Sequence, residues 1–323
     1  MKRVIVVGLI ALAPVLAKAT MQSAVVYTAE GAGLSIDAVG TTGTGLVQAE
    51  IPANASIHRA YLYSASVWST ALYDVKLDGN TLSSTAASRL DVGAKEGNGA
   101  AENRWDVTGI VNSKYNPAGG IFDFEVQETG YLDGEVLAVL YSVAGNPTQT
   151  AMIFDGELAV AGDSFSVGLN PAFDGSDVIM SLGISYGYQA GYGDYGQYSR
   201  IDVNGHRLTT SAGGQDDGFD ANGGLITAGG VGDSTANPAN PYATDIAPRY
   251  DDELYNLAPL LNSGANTIII ASQNPSANDN VFFMGLTTKG TSVVHTAPDA
   301  GGTLMLLGTG LTALAALRRK LMN

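Results

Sequence analysis

The chain contains no cysteine. That single absence removes disulfides, thiolate zinc sites, iron–sulfur clusters and cysteine nucleophiles together, and 323 residues are enough to bury a core without such staples. Histidine is nearly as scarce: His58, His206 and His295 are far apart, none within metal-ligand spacing of another, and no H-E-x-x-H is present. A zinc site or a Ser-His-Asp triad therefore has little to stand on, and each histidine is expected at the surface. Basic residues are also few, 16 Lys and Arg against 31 Asp and Glu, for a formal net charge of −15. Six of the sixteen sit in the first 19 and the last six residues, so the body between those limits carries ten bases against thirty-one acids, a formal −21. Such a body repels nucleic acid and anionic lipid, and divalent cations or neutral glycans suit it better as partners.

The two ends read as targeting signals. Residues 1–19 have a positive start (Lys2, Arg3), an apolar run from Val4 to Leu16 interrupted only by Pro14, and Ala17-Lys18-Ala19, an A-x-A cleavage pattern after Ala19. The run is too short to span a hydrocarbon core of about 30 Å, so a cleaved signal peptide is expected rather than an anchor. At the other end, Ala297-Pro298-Asp299-Ala300-Gly301 precedes an uncharged run from Thr303 to Leu317 and then Arg318-Arg319-Lys320. As a helix that run is about 22 Å long, close to the span of a thin bilayer once the flanking arginines reach the headgroups. By the positive-inside rule its basic end stays cytoplasmic, which leaves the body outside.

This order of Pro-acidic motif, apolar segment and terminal arginine cluster resembles the PEP-CTERM class of exosortase sorting signals, in the variant headed by Val-Pro-Asp-Ser-Gly. Pro298, Asp299 and Gly301 match, while Ala297 and Ala300 stand where that variant has Val and Ser. The resemblance covers residues 297–323 alone. It implies a Gram-negative host that makes exopolysaccharide, recognition by an integral-membrane exosortase, and release of the body to the cell surface or matrix.

Between the signals, short β-prone runs are separated by Gly-rich turns, which indicates an all-β sandwich or jelly roll. Asp78-Gly79-Asn80 and Asn204-Gly205-His206 are the strongest hairpin signals, because type I′ turns require positive φ at both central residues. Residues 57–142 run as a strand, the hairpin at 75–82, the Trp105-Asp106-Val107 segment and two further strands. Residues 177–289 repeat that order, with the hairpin at 201–208 and the Tyr255-Asn256-Leu257 segment. Two tandem β units or one larger sandwich both fit. The expected organisation is a signal peptide at 1–19, β domains at 20–150 and 151–296, and a sorting signal at 297–323 with its transmembrane segment at 303–317. The region 209–250 is expected to be mainly loop.

Four features invite a functional reading. Gly183-Ile184-Ser185-Tyr186-Gly187 fits G-x-S-x-G, but a nucleophile elbow needs a helix after the turn, and the Gly- and Tyr-dense stretch at 188–198 is not one. Ser185 is therefore expected inside a strand. Asp216, Asp217 and Asp220 lie in a Gly-rich loop and offer the hard oxygens that calcium takes, without EF-hand spacing. Asp251, Asp252 and Glu253 could serve likewise or simply cap a helix start. Tyr188, Tyr192 and Tyr195 form either a glycan-contact surface or a hairpin face packed on a sheet. The sequence thus points to an exported, non-enzymatic surface or matrix protein with a structural or adhesive role, associated with exopolysaccharide and needing no cofactor beyond calcium. The rival is a secreted glycoside hydrolase whose acid and base are two of these carboxylates.

Overall fold

The computed structural model describes residues 21–40, 43–67, 71, 73–90, 100–156, 162–185, 199–212, 226–242, 253–275 and 280–296. All of them belong to one compact unit, Thr20–Thr296. The expected signal peptide and the span at 303–317 lie outside the described residues. Among the described residues, no helix is long and apolar enough to cross a membrane.

The chain opens with β1 (Gln22–Glu30), then β2 (Gly33–Val39), β3 (Thr44–Ile51), β4 (Ser56–Val67), β5 (Val75–Leu77), β6 (Asn80–Leu82), β7 (Ser88–Arg89) and β8 (Ala100–Asp106). The short helix α1 (Thr108–Lys114), β9 (Gly120–Glu128) and β10 (Gly134–Ser142) follow. The second half contains β11 (Thr148–Asp155), β12 (Asp163–Asn170), β13 (Ile179–Ser185), β14 (Ser199–Val203), β15 (His206–Ala212), β16 (Ile226–Ala228) and β17 (Leu254–Asn256). A 3-10 turn at Ala258–Leu260 leads to β18 (Thr267–Gln273), β19 (Asn280–Lys289) and β20 (Thr291–Thr296).

The halves share one topology. In the first, β2-β10-β4-β8 forms one sheet and β3-β9-β5-β6 the other; in the second, β11-β19-β13-β17 and β12-β18-β14-β15 take the same places. Equivalent turns even share their hydrogen bonds. Asp78 and Gly79 have φ of 47° and 75°, Asn204 and Gly205 49° and 77°, as type I′ hairpins demand. Asp78 N–H donates to Glu125 O at 2.8 Å while Asp78 Oδ1 accepts from Glu125 N–H at 2.9 Å. Asn204 and Ile269 make the same pair, both bonds at 2.8 Å. Asp106 Oδ1 accepts from Thr108 N–H, and Asn256 Oδ1 from Ala258 N–H, each at 3.0 Å. The repeat is longer than the sequence suggested, because each half also begins with two strands, β2 and β3 or β11 and β12. The region 209–250 is not all loop: it holds the end of β15 and all of β16.

Stacking of these sheets yields three cores. Leu62, Phe124, Val126 and Leu137 fill the first sandwich. Met180, Leu182, Ile270 and Met284 fill the second. A third core lies between the halves, where Tyr63, Val136, Leu140, Ile153 and Phe283 join the outer faces of the two inner sheets. β10 is therefore buried on both faces, its Leu137 and Val139 serving one core and Val136, Ala138 and Leu140 the other. The outer sheets keep one wet face, and β9 alternates accordingly, with Phe124 and Val126 buried and Asp123 and Glu125 exposed.

Candidate functional site

Where the halves meet, small side chains leave a cleft of about 510 Å³. β13 and β19 contribute Ser181 and Gly285 there, and β2, β3 and β10 contribute Ser35, Glu50 and Tyr141. A Cβ on Gly285 would lie 2.5 Å from the end of the Ile36 side chain, so a larger residue there would make Ile36 shift. The segment at Gly229–Val231 straps the cleft onto β2 through Val231 N–H donating to Ile36 O at 2.8 Å. A Cβ on Gly230 would come within 2.0 Å of that same carbonyl oxygen. A neighbouring recess of about 320 Å³ shares Leu34, Pro52, Tyr141, Ile179 and Thr287 with the cleft.

Two acidic groups lie at the β2–β3 side of the cleft, Glu50 in its lining and Asp37 on β2. β2 and β3 are edge strands of different sheets, and side chains of the first close the seam to the second. Ser35 Oγ accepts from Glu50 N–H at 2.8 Å, and Asp37 accepts from Gln48 N–H. Burial pushes the Asp37 carboxyl up to about 7, with Asp233 and Asp123 adding repulsion against the two amide bonds that oppose it. Burial and then the Glu50 charge push the Tyr141 hydroxyl upward. Among the described lining residues Glu50 is the one carboxylate, and no histidine is among them.

A second polar feature crosses the core between the halves. Arg104 of β8 donates to Asp155 of β11, Tyr63 O–H donates to the same carboxylate at 3.1 Å, and the guanidinium lies 5.1 Å from the centre of the Tyr61 ring. Burial raises the Asp155 carboxyl even against the Arg104 charge.

The structure places Ser185 at the end of β13, paired with β16 and β19 and buried, its hydroxyl donating to Asp133 Oδ2 at 2.9 Å. No histidine reaches it: His206 and His295 are exposed, and exposed His58 stacks on Tyr27 at 4.0 Å. Glu253 does not cap a helix. It leads into β17 with φ of 50°, and its carboxylate accepts from Thr227 Oγ1 at 3.1 Å. Tyr188, Tyr192, Tyr195, Asp216, Asp217 and Asp220 lie outside the described residues, as do Pro298, Asp299, Gly301, Arg318, Arg319 and Lys320. Among the described residues, no three His, Cys, Asp or Glu side chains gather to hold a metal ion. Neither the cleft nor the Arg104–Asp155 contact was found by sequence reasoning, since their residues are scattered over both halves.

Residues 298–321 match the VPDSG-CTERM motif, a PEP-CTERM-like sorting signal, and this is the class of export signal that the chain carries. The motif is that of an exported, surface-targeted protein processed by a sorting enzyme at the membrane. No curated protein and no solved structure shows significant similarity to the chain.

Proposed function

We propose that the protein is a non-enzymatic component of the cell surface or extracellular matrix, tethered at the inner membrane through residues 303–317 until an exosortase processes it, and then acting by structure or adhesion. The observation that carries this reading is the sorting motif at 298–321 behind a large β body. Four stacked layers of antiparallel sheet suit a load-bearing role, and the lone Glu50 of the cleft offers no partner carboxylate for glycoside hydrolysis among the described residues. Exopolysaccharide is the partner that the body's −21 charge and its tyrosines favour, because neutral sugars stack on aromatic faces without electrostatic cost.

Two results are expected. Replacing Arg318, Arg319 and Lys320 with serine removes the cytoplasmic stop, so unprocessed or mislocalised chain should accumulate, as read by fractionation and immunoblot. Tyr192→Ala should change stability by no more than about 0.5 kcal/mol yet weaken retention on the host's exopolysaccharide. A loss of about 3 to 5 kcal/mol would instead make Tyr192 a core residue.

A further inference from the structure

The two halves are copies of one scaffold, so each position in one has a counterpart in the other that shows what the fold itself requires. One cluster differs from its counterparts at two of its positions. On the inner sheet of the first half, Glu135, Ser64 and Asn103 lie directly opposite one another on β10, β4 and β8. They share the face that carries Leu137, Leu62 and Trp105 into the first core. From the facing sheet, Glu128 follows Phe124 and Val126 into the same core.

All four side chains are at least nine-tenths buried, Glu135 and Ser64 completely. Among the described residues, both oxygens of Glu135, Ser64 Oγ and both amide atoms of Asn103 have no hydrogen-bond partner, and the Glu128 carboxylate has no more than a backbone contact from Leu132. Native proteins leave only a few buried polar atoms in that state per hundred residues, and a group of them at one end of a core is a large cost to carry. The strand registers pair Met284 with Leu182 in the second half, where the first has Glu135 with Ser64. Both are apolar core members, so the scaffold packs at the Glu135 and Ser64 positions without polar groups, whereas Glu253 and Ser272, the counterparts of Asn103 and Glu128, are buried and polar too.

The geometry points to a divalent cation site, calcium by its chemistry, built from Glu128, Glu135, Asn103 Oδ1 and Ser64 Oγ. Two carboxylates balance the charge of one such ion, and amide and hydroxyl oxygens complete a hard-oxygen set of the irregular kind that calcium tolerates better than magnesium. Asp133, already held by Ser185, adds negative potential beside Glu128. Without an ion the two glutamates hold their protons: burial and then the Asp133 charge push Glu128 up to about 8 against a backbone hydrogen bond from Leu132, and burial followed by the Glu128 charge raises Glu135 well above the usual carboxyl range. None of Asp216, Asp217 and Asp220 belongs to this set.

Calcium titration of the purified protein at pH 7.5, followed by melting and by terbium luminescence, tests this. At free calcium about a hundredfold above Kd, the melting temperature should rise by about 5 °C or more over that in chelator. Terbium should show luminescence on tryptophan excitation, because Trp105 lies two residues from Asn103 on the same strand face. Glu135→Gln and Glu128→Gln should each abolish both responses while melting no lower than the parent in chelator, and Asp216→Asn with Asp217→Asn and Asp220→Asn should keep them. No response in the parent, or a response that survives both Gln variants, overturns the site.

Discussion

Replacing Arg104 with alanine should destabilise the protein by about 3 kcal/mol, measured by urea unfolding. The reason is the charge left behind. Asp155 is buried between the halves and its carboxylate takes both Arg104 and the Tyr63 hydroxyl. Without the guanidinium, one neutral donor remains for a carboxylate whose burial already raises its pKa. Part of Arg104 still touches water, its side chain being 22% exposed, which places the loss at the lower end of the range for broken buried pairs. A loss within about 0.5 kcal/mol, typical of surface changes, would show that the contact does not hold the halves together.

The second large effect is on pH. In chelator, stability should fall as pH rises from 5 to 8, the reverse of ordinary acid denaturation. Asp37 titrates at about 7 in the folded state against 3.8 when free, and Glu128 at about 8 against 4.5. Acids raised in this way are neutral in the folded state below those values, so their contribution is fully present below the unfolded pKa and is lost as pH rises through the folded one. Two units for Asp37 and three for Glu128 within this window correspond to at most about 7 kcal/mol. Glu135 adds in the same direction. The groups facing them, Asp233 and Asp123 around Asp37 and Asp133 beside Glu128, are acidic and reinforce the sign. Melting curves across pH 5 to 8 check this, and a melting temperature that rises with pH in chelator would contradict it. Glu128→Gln should flatten the upper part of the curve.

Much of the fold could be read from local chemistry. Asp78-Gly79 and Asn204-Gly205 announce their turns because few other residues accept positive φ twice in succession, and both pairs adopt it. The order of hairpin, Asp/Asn-capped turn and two strands recurs for the same reason in each half. β2 and β10 were harder, because strands buried on both faces lose the alternation that marks a half-buried strand: Ile36 through Val39 and Gly134 through Leu140 are buried without a break. β10 was found from its apolar run; β2, shorter and carrying Ser35 and Asp37, was not. The stacking of the halves was illegible, since nothing in Tyr63 or Phe283 says which sheet will cover it. The polar set at Ser64, Asn103, Glu128 and Glu135 was missed because strand pairing, not spacing, brings it together. By contrast, the sorting signal is contiguous, and its recognition needs no fold.

The most direct measurement of the central claim is the intact mass of the protein recovered from the host's surface and extracellular fractions. A chain beginning at Thr20 and lacking the apolar segment at 303–317 with Arg318, Arg319 and Lys320 is the expected product. A species that retains Met1 and Asn323, or that is found only in the cytoplasm, would contradict export and sorting together.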